Sequence, residues 1–311
     1  MMRNGGQYAL AVRKPDHTIA VETHKTKDPG AGIYRVPILR GVASFVDSLV
    51  LGMSTLMRSA SYFEEEEPQK EAEGTQKEEE KTQKRTQKKE KKEMTREEKE
   101  KKEKVEMGVT VAISFVLAVA IFMVFPYFLS GFLKKWIASP SLLALAEGVI
   151  RVAIFVLYVL LISRMDEIRR VFMYHGAEHK CINCIEHGLE LNVENVRKSS
   201  RQHKRCGTSF LLFVFIISVV VFMFIRFDSP LLQLLFRLLL IPVIAGISYE
   251  FIRLAGRSEN ALVELLSKPG LWLQGLTTKE PDDEMIEVGI ASVEAVFDWR
   301  AFQEENRESF S

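Results

Sequence analysis

Residues 108–129, GVTVAISFVLAVAIFMVFPYFL, contain no charged side chain. A helix needs roughly 17–25 mostly apolar residues to cross a bilayer, so this one window places the chain in a membrane. Three further windows meet the same requirement. Residues 141–163 are apolar apart from Glu147 and Arg151, residues 208–225 are uncharged up to Arg226, and residues 230–252 hold Arg237, Pro242 and Glu250. The first window lies far from Met1 and does not read as a cleavable signal peptide. The expected fold is mainly α: a polytopic membrane protein with four transmembrane helices, a small N-terminal β-hairpin and short cytoplasmic helices.

Lys and Arg near the span ends set orientation. The segment 164–205 carries Arg164, Arg169, Arg170, Lys180, Arg197, Lys198, Arg201, Lys204 and Arg205, whereas the opposite side has Lys134, Lys135 and Arg226. Both termini and the middle segment are therefore expected in the cytoplasm. Inside the membrane, Glu147 and Arg151 stand four apart and share a helix face, which predicts an ion pair turned into the bundle. Arg237 is the further polar residue that a proton or substrate path would need.

Four regions follow: 1–63, a hairpin plus an amphipathic helix; 64–106, a linker; 107–256, the membrane domain with its His/Cys segment 164–207; and 257–311, cytoplasmic helices. The hairpin is read from alternating residues 8–12 and 18–22 around Lys14-Pro15-Asp16-His17. Ile38, Val42, Phe45, Leu49, Met53 and Leu56 recur at helical spacing, with Arg40, Ser44, Asp47 and Ser48 turned away. That helix lies at the interface or packs on the bundle; a polar face poor in Lys and Arg favours packing. Residues 64–106 hold 16 Glu and 14 Lys or Arg with no apolar stripe, a solvated linker without a core. Beyond the fourth span, Ser258 caps a short helix expected to stop at Lys268-Pro269-Gly270. A last helix starts near Pro281-Asp282-Asp283, with Ile286, Ile290, Val293 and Phe297 on its apolar face.

The chemistry is concentrated in Tyr174-His175-Gly176-Ala177-Glu178-His179-Lys180. On a continuing helix His175 and His179 project from one face and can bind one divalent metal, while Glu178 is of the type that accepts a proton from an activated water. The order H-x-x-E-H is the inverted zinc-hydrolase pattern, so the expected cofactor is a divalent metal, zinc first. The bland alternative is a pair of interfacial histidines bonded to backbone. A second string, His203-Lys204-Arg205-Cys206-Gly207-Thr208, precedes the third span, and Glu250 lies near the cytoplasmic end of the fourth. The predicted topology brings His175, His179, His203, Cys206 and Glu250 to one membrane level, with Glu250 or His203 as third ligand. Cys181 and Cys184 form a C-x-x-C followed by His187, which suggests zinc or redox work and which Cys206 could complete; without a second pair, reduced thiols serving no site is the favoured reading. Arg201, Lys204 and Arg205 could orient an anionic group, although the orientation signal already explains them.

The strings YHGAEHK, VRKSSRQHKRCGTSFL, SYEFIRLAGR and PGLWLQGLTTKEPDDEMIEVGI resemble the YqhQ-like family of bacterial membrane proteins, which is uncharacterised and described as predicted metal-dependent enzymes. The resemblance covers nearly the whole chain outside the linker. It implies an inner-membrane location and function at His175–His179 and His203–Ser209. Members commonly carry a glycine-rich string with a glutamate ahead of Met-Met-Arg, so residues upstream of Met1 are expected. Their position matching Cys181 is not usually cysteine. The 42 Lys and Arg against 41 Asp and Glu leave a net charge of +1, which gives no support for nucleic acid as a partner. Three cysteines make no disulfide framework. The expected partners are membrane lipid and, in a scaffold or accessory role with a structural metal, other membrane proteins.

Overall fold

A computed structural model describes residues 1–26, 32–64, 96–203, 206–225, 227, 229–258 and 260–306. The chain opens with strands β1 (Met2–Asn4), β2 (Gln7–Arg13) and β3 (Ile19–Lys25), antiparallel in that order. The predicted hairpin is β2–β3, in register from Gln7↔Lys25 to Arg13↔Ile19. At its turn Lys14 N donates to Thr18 O (2.9 Å), and Asp16 Oδ1 accepts from both Thr18 N and Thr18 Oγ1. The sheet has a third strand that the sequence reading did not contain. β1 is three residues long, too short to show alternation, and reaches β2 through Gly5 at φ +55°. Four consecutive residues of β2, Ala9 to Val12, are buried. A strand with one wet face would alternate, so β2 is covered on both faces.

Helices follow: α1 (Leu39–Glu64), α2 (Arg96–Val119), a π-helical turn (Ala120–Val124), α3 (Phe125–Leu133), α4 (Pro140–Ile162), α5 (Asp166–Glu186), α6 (Val193–Lys198), α7 (Gly207–Phe224), α8 (Pro230–Ala255), α9 (Ala261–Thr277), α10 (Asp283–Glu294) and α11 (Trp299–Glu305). The π turn ends two residues before Pro126, which has no N–H to continue the ladder. Side-chain caps start most of the later helices: Ser139 for α4, Asn192 for α6, Asn260 for α9, Asp282 for α10 and Asp298 for α11.

Among the described residues five helices, not four, are long and apolar enough to cross a membrane. Four contain the predicted windows; the fifth, Leu39–Phe63 in α1, is the least apolar. The middle of the predicted linker (65–95) lies outside the described residues, but its last part is helical, since α2 begins at Arg96. The helix expected to stop at Lys268-Pro269-Gly270 instead runs through Pro269 to Thr277, and its cap is Asn260, not Ser258. Tertiary packing overrides the breaker: Gly270 lies so close to Ser209 that a Cβ there would sit 2.9 Å from the Ser209 side chain. The last predicted helix is found as α10. Its apolar residues Ile286 and Val293 join Cys181, Cys184 and Trp299 in one core, with Phe297 packed on it from beyond the helix end.

The predicted intramembrane pair is a triad. Glu147 Oε1 accepts from Arg151 (2.8 Å) and from Arg237 (2.5 Å), its Oε2 accepts from Arg237 (3.0 Å), and Arg151 also donates to Ser218 Oγ (3.2 Å). Both guanidinium groups lie over the ring of Phe222. All three charged side chains are buried, which ties α4, α7 and α8 together.

Candidate metal centre

The site begins with one helical turn of α5. His175 and His179 stand four apart, and their rings meet edge to face with centroids 4.4 Å apart. The residues between them explain how α5 can carry this pair inside a packed structure. Gly176 leaves room for the main chain beyond α9: Lys279 N donates to Phe172 O (2.9 Å), and a Cβ on Gly176 would run into the Lys279 carbonyl. Ala177 is fully buried against Gly289 of α10. Small residues at 176 and 177 therefore let two elements close on α5 and surround the imidazoles.

That closure fixes both rings. His175 Nδ1 lies 3.1 Å from Thr277 O, and His179 Nδ1 lies 2.7 Å from Arg201 O. A ring nitrogen facing a carbonyl must carry the hydrogen and donate it, which leaves Nε2 of each neutral ring with a free lone pair. Orientation of this kind, through a backbone carbonyl, is the usual support of a metal-binding histidine. The carbonyl of Arg201 is held in place because residues 197–202 are pinned to α5. Lys180 Nζ donates to Arg197 O (2.8 Å) and Ser199 O (3.0 Å), and Asn183 Nδ2 donates to Ser200 O (2.7 Å) and Gln202 O (2.9 Å).

Cys206 supplies the third donor. It caps α7, where its sulfur accepts from Thr208 N (3.4 Å), lies 3.0 Å from Thr208 Oγ1 and sits 3.3 Å from His175 Nε2. Burial pushes this thiol up, but hydrogen bonds from His175 and His179 more than offset it and bring the pKa down to about 5. A thiolate bonded in this way needs a hydrogen on the Nε2 that faces it, so an ion bound through that nitrogen would displace the proton. For His175, burial works against the charged ring, while Cys206, the Thr277 carbonyl and Glu178 together hold its pKa above the ordinary value.

The ligand atoms of His175, His179 and Cys206 all lie within 4.8 Å of one another. Bonds of 2.0–2.3 Å in a tetrahedron separate donor atoms by roughly 3.3–3.8 Å, so small side-chain movements would close the set around an ion. Two neutral imidazoles and a thiolate are also the donor types that zinc prefers. The residues fit such an ion, and three protein donors would leave a fourth position for water or substrate.

The other expected ligands are placed elsewhere. Glu250 is held in a two-pronged pairing by Arg40 and also accepts from Ile38 N (3.3 Å), so it serves the start of α1 rather than the histidines. Nothing in the sequence around Glu250 marks Arg40 as a competing partner. His203 is nearby, its ring 5.9 Å from that of His179, but its Nε2 pairs with Glu186 (3.1 Å) and lies outside the three-donor group. Its backbone is clamped by the buried Gln274, which donates to His203 O (2.7 Å) and accepts from His203 N (2.8 Å). Glu178 is half-buried and close enough to raise the pKa of His175, without belonging to the donor group. Lys204 and Arg205 lie outside the described residues.

Cys181 and Cys184 are buried in the core between α5 and α10, and burial raises both thiols, Cys181 to about 12. Such thiols are inert. His187 is tied to Asn183 O (2.7 Å) at the end of α5. The roles of Thr277 and Arg201 went unread because a backbone carbonyl has no residue-type signature.

A family model described as "Protein of unknown function (DUF1385)" matches residues 36–299. The chain is 32% identical over 311 residues to "Uncharacterized protein YqhQ" of Bacillus subtilis (strain 168), an alignment covering 96% of this chain and 90% of that protein. No solved structure matches. On the extent of these matches, the chain belongs to the DUF1385 family of proteins of unknown function, with a YqhQ of Bacillus subtilis among its relatives.

Proposed function

We propose that this protein is a metal-dependent enzyme of hydrolase type in the bacterial inner membrane, with four spans, both termini in the cytoplasm and its site at the cytoplasmic face. His175, His179 and Cys206 would hold a divalent ion, zinc by donor type, and Glu178 would act as general base. The observation that carries this reading is the convergence of the three donors with both Nδ1 atoms already committed to carbonyls. A zinc ion in such a site supplies Lewis acidity and acidifies a water. The chain's own contribution is to fix the rings, to hold Cys206 against His175 at the head of α7, and to hold a carboxylate one turn along the helix from His175. The excess of Lys and Arg in 164–205 supports the orientation.

A second reading is a scaffold or accessory protein for other membrane proteins with a structural metal. The burial of His179 and Cys206, and the way the donors join α5 to α7, favour it. The experiment measures bound zinc in the purified protein and complementation of a deletion strain. His175→Ala combined with His179→Ala should remove the metal; unchanged stoichiometry refutes the ligand set. Glu178→Gln should keep the metal and abolish complementation; full complementation by that variant refutes the enzyme and leaves the structural role.

A further inference from the structure

We infer that α1 is an in-plane membrane helix: its exposed apolar face is seated in the leaflet on the side of the metal centre, and its partner is lipid. The inference rests on the reading that the α2–α3 unit, α4, α7 and α8 span the bilayer.

Both ends of α1 are fastened on one side of those spans. At its start, Arg40 and the Ile38 N–H hold Glu250, five residues before the end of α8. Gly41 meets α8 so closely that a Cβ there would lie 2.9 Å from the Gly246 Cα. One turn later the ring of Phe45 packs on Phe210, in the first turn of α7 beside Cys206 (centroids 5.2 Å). At the far end, Arg58 donates to Glu22 of β3 (3.0 and 3.2 Å) and the Tyr62 hydroxyl donates to the same carboxylate. The sheet is in turn bound to α10 by Arg13, which donates to Glu287 (2.6 Å) and to Glu284 O (2.9 Å). α10 packs on α5, the helix of His175 and His179. At 1.5 Å per residue, Arg58 lies about 27 Å along the helix from Arg40. A crossing helix would carry Arg58 to the opposite side, away from the sheet that it holds.

The surface chemistry agrees. Val46, Leu49, Val50, Met53, Leu56 and Met57 recur at three- and four-residue spacing on one face and are 44–65% exposed, whereas Gly41 and Thr55 are buried. The face that water would see is thus the apolar one. α9 repeats the arrangement, with Leu262, Leu265, Leu266 and Trp272 outward while Gly270 touches Ser209 in the first turn of α7. Both stripes therefore continue from the rim of a span, which makes the bilayer the occupant that fits.

The full-length protein can be placed in phosphatidylethanolamine–phosphatidylglycerol vesicles with a spin label at Val46→Cys, Val50→Cys or Met57→Cys, positions where a side chain disturbs no packing. The three native cysteines are buried, and the unsubstituted chain gives the background. Relative accessibility to oxygen and to a water-soluble nickel chelate reports depth. All three labels should sit about 5–10 Å below the phosphates and agree within about one helical turn, 5.4 Å. Depth that changes steadily from 46 to 57, by about 16 Å, would mean a crossing helix and overturn the inference. Labels open to the nickel chelate, or shielded from both reagents, would exclude lipid as the occupant and overturn it as well. A label at Val116→Cys, on the exposed face of α2, must read deep; an aqueous reading there refutes the spanning helices and not the placement of α1 alone.

Discussion

Gly176→Ala separates the tertiary account of the site from a purely local one, because the two differ in sign. Considered as a helix position, replacing glycine by alanine inside α5 gains about 0.5–1 kcal/mol. In the folded protein the added methyl meets the Lys279 carbonyl, and that carbonyl cannot swing aside freely. Its own residue is bonded to Phe172 O, and Thr278 N to Gln274 O (2.8 Å). Overfilling of this kind costs about 1–3 kcal/mol, so the net change should be a destabilisation of about 0–2.5 kcal/mol. The strain falls two residues from Thr277 O, the partner of His175 Nδ1. Loss of such support typically lowers metal affinity about 10–100-fold. Thermal unfolding of the purified protein in detergent and zinc competition against a chromophoric chelator measure the two effects. Gly275→Ala, with no heavy atom within 4 Å, is the matched control and should be neutral or stabilising. A Gly176→Ala protein that melts at or above the wild-type temperature and holds zinc as tightly would refute the packing account of the HGAEH string.

Protons should compete with the metal chiefly at His175, whose pKa is raised above its usual 6.5, and much less at Cys206, which stays ionised down to about 5. Apparent zinc affinity should therefore weaken as pH falls below the raised His175 value; an affinity that stays constant from neutral pH down to about 5 would contradict it. Glu147→Gln removes the one anion between two buried guanidiniums, at an expected cost of about 3–5 kcal/mol, read as lost yield and a lower unfolding midpoint. Glu250→Gln should leave zinc stoichiometry unchanged and cost about 1 kcal/mol or less, since its pairing with Arg40 is partly exposed; loss of zinc would return Glu250 to the ligand set.

The spans and the histidine pair were legible for the same reason: each is written in residue type at fixed spacing. Uncharged length reveals a span, and two imidazoles four apart on a helix must share a face. The ion pair of Glu147 and Arg151 was legible by the same spacing, and Arg237 could be named because charge in an apolar window is rare. Legibility failed wherever the deciding partner was a backbone atom or a distant side chain. Nothing local in Ser248-Tyr249-Glu250 shows that Arg40 will take the carboxylate. Pro269 reads as a stop until Gly270 is found packed against Ser209. Cys206 could be grouped with the histidines from its place just before the third span, but its standing as third donor ahead of Glu250 and His203 shows only in its position at the head of α7, facing His175.

The charged triad also bears on how the protein is made. α4 enters the bilayer carrying both signs, Glu147 and Arg151, and can neutralise itself at once. α8 carries Arg237 and must find its counter-charge on a helix synthesised about ninety residues earlier. On the proposed four-span arrangement, the buried pairing of Glu147 with Arg237 would close only once α8 has been made, so the last helix would act as a latch on α4 and α7.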